Sequence, residues 1–285
     1  RRQYHHVSRR KKVTMTNKMS LRVFMITIPV MCIAQAVASG AKVIKPWSVS
    51  LGASLNTSLH KNSDLDKQLN SDFSIGANYK FKNGIKLGTS LSGTKDLLNE
   101  REWTWNNSYL SIAKSLVNLS GLKISGIALV HIPLSDYSKN YQKLRTGIMI
   151  APSFSYNLSS IGLERMSLSY RPALTRYFHK YTTSLTGGSN TQYSLSNRLG
   201  MSLTITDAAY FALNGSYAKS YTYLGNEKDS YSFSSALGYS PTPKSSVEIG
   251  HVNGGSPLAT NGKDIEIEVF NNRDSSVYMS FGYPY

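Results

Sequence analysis

Trp47-Ser48-Val49-Ser50-Leu51-Gly52-Ala53-Ser54-Leu55-Asn56-Thr57-Ser58-Leu59 alternates with a period of two. Trp47, Val49, Leu51, Ala53, Leu55 and Leu59 hold odd positions, and Ser48, Ser50, Gly52, Ser54, Asn56 and Ser58 hold even ones. Successive residues of an extended chain point to opposite sides, so the segment predicts a strand with one greasy face and one small polar face. The pattern returns in Phe73-Ile75-Ala77-Tyr79-Phe81, Ile85-Leu87-Thr89-Leu91, Ile148-Ile150-Pro152-Phe154-Tyr156-Leu158 and Met166-Leu168-Tyr170-Pro172-Leu174. Its longest run is Tyr193-Leu195-Asn197-Leu199-Met201-Leu203-Ile205. Phe211 to Tyr217, Tyr231 to Tyr239, Val247 to His251 and Val277 to Tyr285 continue it. Segments 103–116 and 119–132 alternate less cleanly; with both counted there are about twelve strands.

The connections alternate as well. Short ones fall at Lys82-Asn83-Gly84, Val117 to Ser120, Ser159 to Gly162, Thr206 to Ala208 and Pro241-Thr242-Pro243. Long polar ones fall at 60–71, 94–102, 133–144, 179–191, 224–229 and 253–274. Phe81 and Ile85 must share a face, so Lys82-Asn83-Gly84 predicts a three-residue hairpin with Gly84 in the left-handed conformation. Short turns at one end and long loops at the other are the layout of bacterial outer-membrane barrels. In lipid every backbone polar group must be paired internally, so such a sheet has to close. The expected fold is therefore all-β, a transmembrane antiparallel up-and-down β-barrel of about twelve strands; a hairpin within 264–274 either raises the count to fourteen or lies inside the last loop.

A soluble sandwich or lipocalin-like barrel also alternates. These strands are longer than the globular mode of about five or six residues, and long enough to cross a bilayer at a tilt. Their polar face is Ser, Gly, Asn and Thr rather than long charged side chains. Aromatic residues also gather at both strand ends, as membrane interfaces require. The turn end carries Trp47, Tyr79, Phe81, Tyr156, Phe211, Tyr239, Phe281, Tyr283 and Tyr285, and the loop end Trp103, Trp105, Tyr177, Phe178, Tyr193, Tyr221, Tyr223 and Tyr231.

The basic Arg22 precedes a short apolar run from Val23 to Ile33, then Ala34-Gln35-Ala36-Val37-Ala38-Ser39. That layout predicts a secretory signal cleaved after Ala38, with Ala36 the second choice. The run is too short for a spanning helix, which needs about 20 residues. Residues before Met15 or Met19 are expected to precede the start codon. Residues 1–38 are thus leader and 39–285 barrel.

The 285 residues carry a net charge of +16. Eight of the 32 Lys and Arg lie in the leader without any acid, and the remaining 24 face 16 Asp and Glu with no long basic run. Nucleic acid is therefore not an expected partner. Cys32 is the one cysteine and lies in the leader, so the mature chain has no disulfide or thiolate metal site. No two of His60, His131, His179 and His251 are closely spaced, and neither a metal nor a cofactor is expected.

The final strand, Val277-x-Met279-x-Phe281-x-Tyr283-x-Tyr285, resembles the terminal signal read by the outer-membrane barrel assembly machinery. The strand count is similar to that of the oligogalacturonate and sialic-acid porin family. These resemblances imply location in the outer membrane. They also imply the assembly machinery, outer-membrane lipid, lipopolysaccharide and small solutes as partners.

A twelve-stranded barrel lies between side-chain-filled eight-stranded barrels and wide pores. Small lining residues favour a narrow water-filled lumen. The alternation points Arg145, Arg165, Arg171 and Arg198 inward, with Arg171 and Arg198 near mid-height, Arg145 toward the outer mouth and Arg165 toward the periplasm. A track of fixed positive charge favours anions. The competing expectations are a lumen plugged by pairs between these arginines and acids such as Glu248, which would make the barrel structural or adhesive, or a lipid-modifying enzyme. The phospholipase pattern of outer-membrane enzymes needs Ser two residues after its His; Asn62, Pro133, Tyr181 and Asn253 stand there. The expectation is a porin-like channel and not an enzyme.

Overall fold

The computed structural model describes residues 45–61, 66–98, 102–258, 264–265, 267–271 and 274–284. The leader and Tyr285 lie outside them. Thirteen strands follow in chain order: β1 (Trp47–Ser58), β2 (Leu69–Lys80), β3 (Ile85–Asp96), β4 (Trp103–Trp105), β5 (Ser108–Leu119), β6 (Leu122–Ile132), β7 (Leu144–Asn157), β8 (Met166–His179), β9 (Thr191–Thr204), β10 (Ala209–Thr222), β11 (Glu227–Thr242), β12 (Ser245–Gly255) and β13 (Ser275–Pro284). Twelve form a closed antiparallel ring in which each pairs with its sequence neighbours, β3 passing over β4 to pair with β5. The last strand closes the ring on the first, with Ala53 opposite Phe281 and Leu55 opposite Met279. Closure leaves no free edge in the ring, which is the condition for a sheet in lipid.

The alternation decides the faces. Leu51, Leu55, Phe73, Ile75, Leu195 and Leu199 are exposed on the outside, while their polar neighbours line the interior. On a soluble protein so large an apolar skin would be an aggregation hazard; around a barrel it is the surface that lipid solvates. At the turn end Tyr79 and Phe81 meet edge to face at 4.8 Å. At the loop end the Arg176 guanidinium lies over the rings of Phe178 and Tyr193, 5.2 and 5.0 Å from their centres. The chain is thus a closed antiparallel β-barrel with a lipid-compatible outer surface. Tyr177 departs from its expected place in the outer belt. It shares the lumen face with Thr175 and Arg171, because Phe178 and Arg176 take the outward positions.

The hairpin at 82–84 forms as its sequence requires. Gly84 has φ of 81°, its N–H donates to the Phe81 carbonyl at 3.0 Å, and the Phe81 N–H donates to Ile85 at 2.8 Å. No atom lies within 4 Å of a Cβ built there, so conformation alone selects glycine. Gly84→Val is expected to destabilise the barrel by about 1–2 kcal/mol through the left-handed backbone. A urea-unfolding midpoint checks it, with Gly84→Asn expected to lose less.

Elsewhere the connections differ from the expected lengths. The expected strand over 103–116 is broken at Asn106 and Asn107. Trp103–Trp105 pairs beside the end of β3 instead, and β5 starts at Ser108. Asn107 then gathers the following loop: its Oδ1 accepts the N–H groups of Leu134 and Ser135, and its Nδ2 donates to Ser138 Oγ at 2.7 Å. The connection expected to be long at 224–229 is a tight turn, in which Thr222 N–H donates to the Asn226 carbonyl and Gly225 has φ of 79°. The described residues of 264–274 form no barrel strand. In their described part the Glu268 carbonyl accepts from Asn253 Nδ2 at 2.6 Å and from the Tyr231 hydroxyl at 3.1 Å, and Phe270 packs 5.0 Å from His251. This strap seals Asn253 and Ser275 on the outer face at the loop end.

The lumen as candidate functional site

Residues that alternate with the greasy positions converge inside the ring. β8 pairs with β9 so that Arg171 stands directly opposite Arg198. Directly opposed residues have Cβ atoms about 4.5–5.5 Å apart, and like charges so placed destabilise a sheet. The Arg171 guanidinium is within electrostatic range of the Tyr109 hydroxyl on β5, and that of Arg198 within range of Arg171 and the Tyr177 hydroxyl. Among the described residues neither arginine has a carboxylate within 4 Å.

The acids inside the barrel have other partners. Glu248 accepts the hydroxyl protons of Tyr210 at 2.7 Å and Tyr278 at 2.6 Å. These rings lie flat on the wall because glycine stands opposite each: a Cβ at Gly238 would lie 2.1 Å from Tyr210 Cζ, and one at Gly250 2.4 Å from Tyr278 Cζ. Asp72 accepts from Ser54 Oγ at 3.2 Å and Thr94 Oγ1 at 2.6 Å. Pairing of the central arginines with Glu248, the plugged alternative, is not what the geometry shows.

The four arginines are not one ladder. Arg165 precedes β8 and donates from Nη1 to the Ile205 carbonyl at 2.7 Å, joining two neighbouring turns. Arg145 is the extra residue of a bulge between Leu144 and Thr146 and is exposed at the loop end. Arg171 and Arg198 alone are brought together.

Toward the loop end an aromatic cluster gathers around Tyr177. Ring centres are 5.8 Å apart for His131 and Tyr177, 6.3 Å for Tyr177 and His179, and 5.8 Å for His179 and Tyr223. Gly147 makes room for it, since a Cβ there would lie 2.9 Å from Tyr177 and 3.2 Å from His131. Sequence reading did not place Tyr109, His131 or Tyr177 in the lumen. The signal was present, because Tyr109 has the parity of Ser111, but a bulge at Leu116 shifts the count from the turn end.

His251 Nε2 and Ser275 Oγ share a hydrogen bond of 3.0 Å on the outer face. The serine comes from the neighbouring strand, which a search along the chain for a nearby Ser does not see. Ser275 is 1% exposed and its Oγ also accepts the Asn271 N–H at 3.1 Å, so the pair anchors the strap. Among the described residues no group of three or more His, Cys, Asp and Glu gathers as a metal site.

No protein-family model and no curated protein matches the sequence. Solved structures match the fold. The COG4313 outer membrane channel from Pseudomonas putida F1 aligns over 88% of this chain and 100% of its own, with TM-score 0.59 and 9% identity. The NanC porin aligns over 82% and 98%, with TM-score 0.52 and 12% identity. At these identities the likeness is one of architecture.

Proposed function

We propose that this barrel is an outer-membrane channel for small solutes that prefers anions, with Arg171 and Arg198 as its selective element. One observation carries the reading: two arginines face each other in the lumen, and among the described residues no carboxylate lies within 4 Å of either. Nothing in the fold requires this costly juxtaposition. A permeant anion relieves it, and guanidinium forks suit carboxylate and phosphate. The porin and channel architecture of the aligned structures supports a transport role. The same reading includes export behind a leader ending at Ala38 and recognition of Val277, Met279, Phe281 and Tyr283 by the assembly machinery, in a membrane of lipid and lipopolysaccharide.

Reversal potentials in planar bilayers under a KCl gradient test it. Chloride is expected to be preferred over potassium, and Arg171→Ser with Arg198→Ser to lower the permeability ratio about tenfold. An unchanged ratio in the double variant would sink the proposal. Arg165→Ser, whose partner is a turn carbonyl, is expected to leave the ratio near wild type.

A further inference from the structure

The inner wall of β6 and β7 is unlike the rest of the lumen. Leu129 is 8% exposed and its neighbour Val130 is 42% exposed, which places Leu129 inside and Val130 outside. Register carries the inner face across the strands: Ser111 pairs with Leu129 and Leu129 with Met149, and Ala113 pairs with Ile127 and Ile127 with Ala151. In mid-β6 the usual amphipathicity is inverted. Gly126 and Ala128 face outward while Ile127 and Leu129 face inward. Further round the ring the inner face of β9 to β11 is Ser196, Ser216, Ser232, Asn214 and Ser234. A lumen serving only hydrated ions has no use for the inner surface of Ile127 and Met149, since apolar area left facing water forgoes about 25 cal/mol per Å².

This apolar wall lies next to the arginine pair. Arg171 on β8 is in electrostatic range of Tyr109 on β5, and β6 and β7 are the two strands between them. A chord from the guanidinium to the phenol therefore passes over the inner faces of β6 and β7. Ile127 and Met149 are half-buried and offer surface there; their register partners Ala151 and Leu129 are buried.

Resting on the anion-channel reading, we infer that the preferred solutes are organic carboxylates with an apolar or aromatic body. The carboxylate sits at Arg171 and Arg198 and the body lies along Ile127, Met149 and Tyr109. A small hydrophilic anion uses the arginines alone. A carboxylate with an apolar body uses both surfaces.

Block of chloride current in planar bilayers by benzoate and by acetate separates the possibilities. Wild-type channel is expected to be half-blocked by benzoate at a concentration about tenfold below that needed for acetate, the discrimination one apolar pocket supplies. Ile127→Ser with Met149→Ser is expected to erase the difference while chloride is still preferred over potassium. Met149→Gln alone, expected to lose part of the difference, serves if the double variant does not assemble. Equal block by benzoate and acetate in an anion-preferring wild-type channel overturns this inference and leaves the channel reading standing. So does a benzoate preference that survives in both variants. Absence of anion preference in the wild type removes the reading beneath it, and the inference falls too.

Discussion

Leu199→Arg is expected to destabilise the folded barrel by about 2–4 kcal/mol, the depth-dependent cost of an arginine on the lipid face near the bilayer midplane. Leu199 is 64% exposed on the outside of β9, midway along the strand. One residue earlier the chain already carries Arg198, which the same strand holds without contact with lipid because its side chain turns into the lumen. Ser232→Arg, on the inner face of β11, is therefore expected to change stability by less than about 1 kcal/mol. Urea unfolding of barrels refolded into phospholipid vesicles measures both. Similar losses in the two variants would overturn the assignment of faces and with it everything said of the lumen.

Gly250→Leu is expected to remove about 3–5 kcal/mol. A Cβ at this position would lie 2.4 Å from Tyr278 Cζ and 2.5 Å from its Cε1, so the ring must leave the wall. Overfilling a packed site typically costs about 1–3 kcal/mol. Displacing the ring also withdraws the hydroxyl that donates to Glu248 at 2.6 Å, and hydrogen bonds to charged groups contribute about 1.5–3 kcal/mol. Tyr278→Phe removes only the second contribution and is expected to lose about 2 kcal/mol. Equal losses in Gly250→Leu and Tyr278→Phe would mean that the ring was not displaced. The effect reaches further than one contact, because Glu248, Tyr210 and Tyr278 tie β10, β12 and β13 together beside the strand that closes the ring.

Where strands are regular, the residues reveal both strand and face. Tyr193 to Thr204 reads out completely, because its residues keep one parity up to the irregularity at Gln192. β5 and β6 are harder for two separate reasons. A bulge at Leu116 changes the parity within β5, and β6 is apolar on both faces where Ile127 and Leu129 turn inward. The same two strands hold Tyr109 and His131, two of the lumen residues that sequence reading missed. Irregular alternation there was a sign of the site.

The sequence by itself determined that the chain forms long strands with one lipid-compatible face, about how many there are, and which side each regular residue takes. Those are local properties, set by the two-residue period of extended backbone. Only the tertiary structure decided that Arg171 faces Arg198 while Arg145 and Arg165 stand apart, that tyrosines rather than arginines hold Glu248, and that an apolar wall lies beside the arginine pair. These depend on register between strands distant in the chain. Register is fixed by bulges and by the closure of the ring, and no single strand carries either in its own pattern.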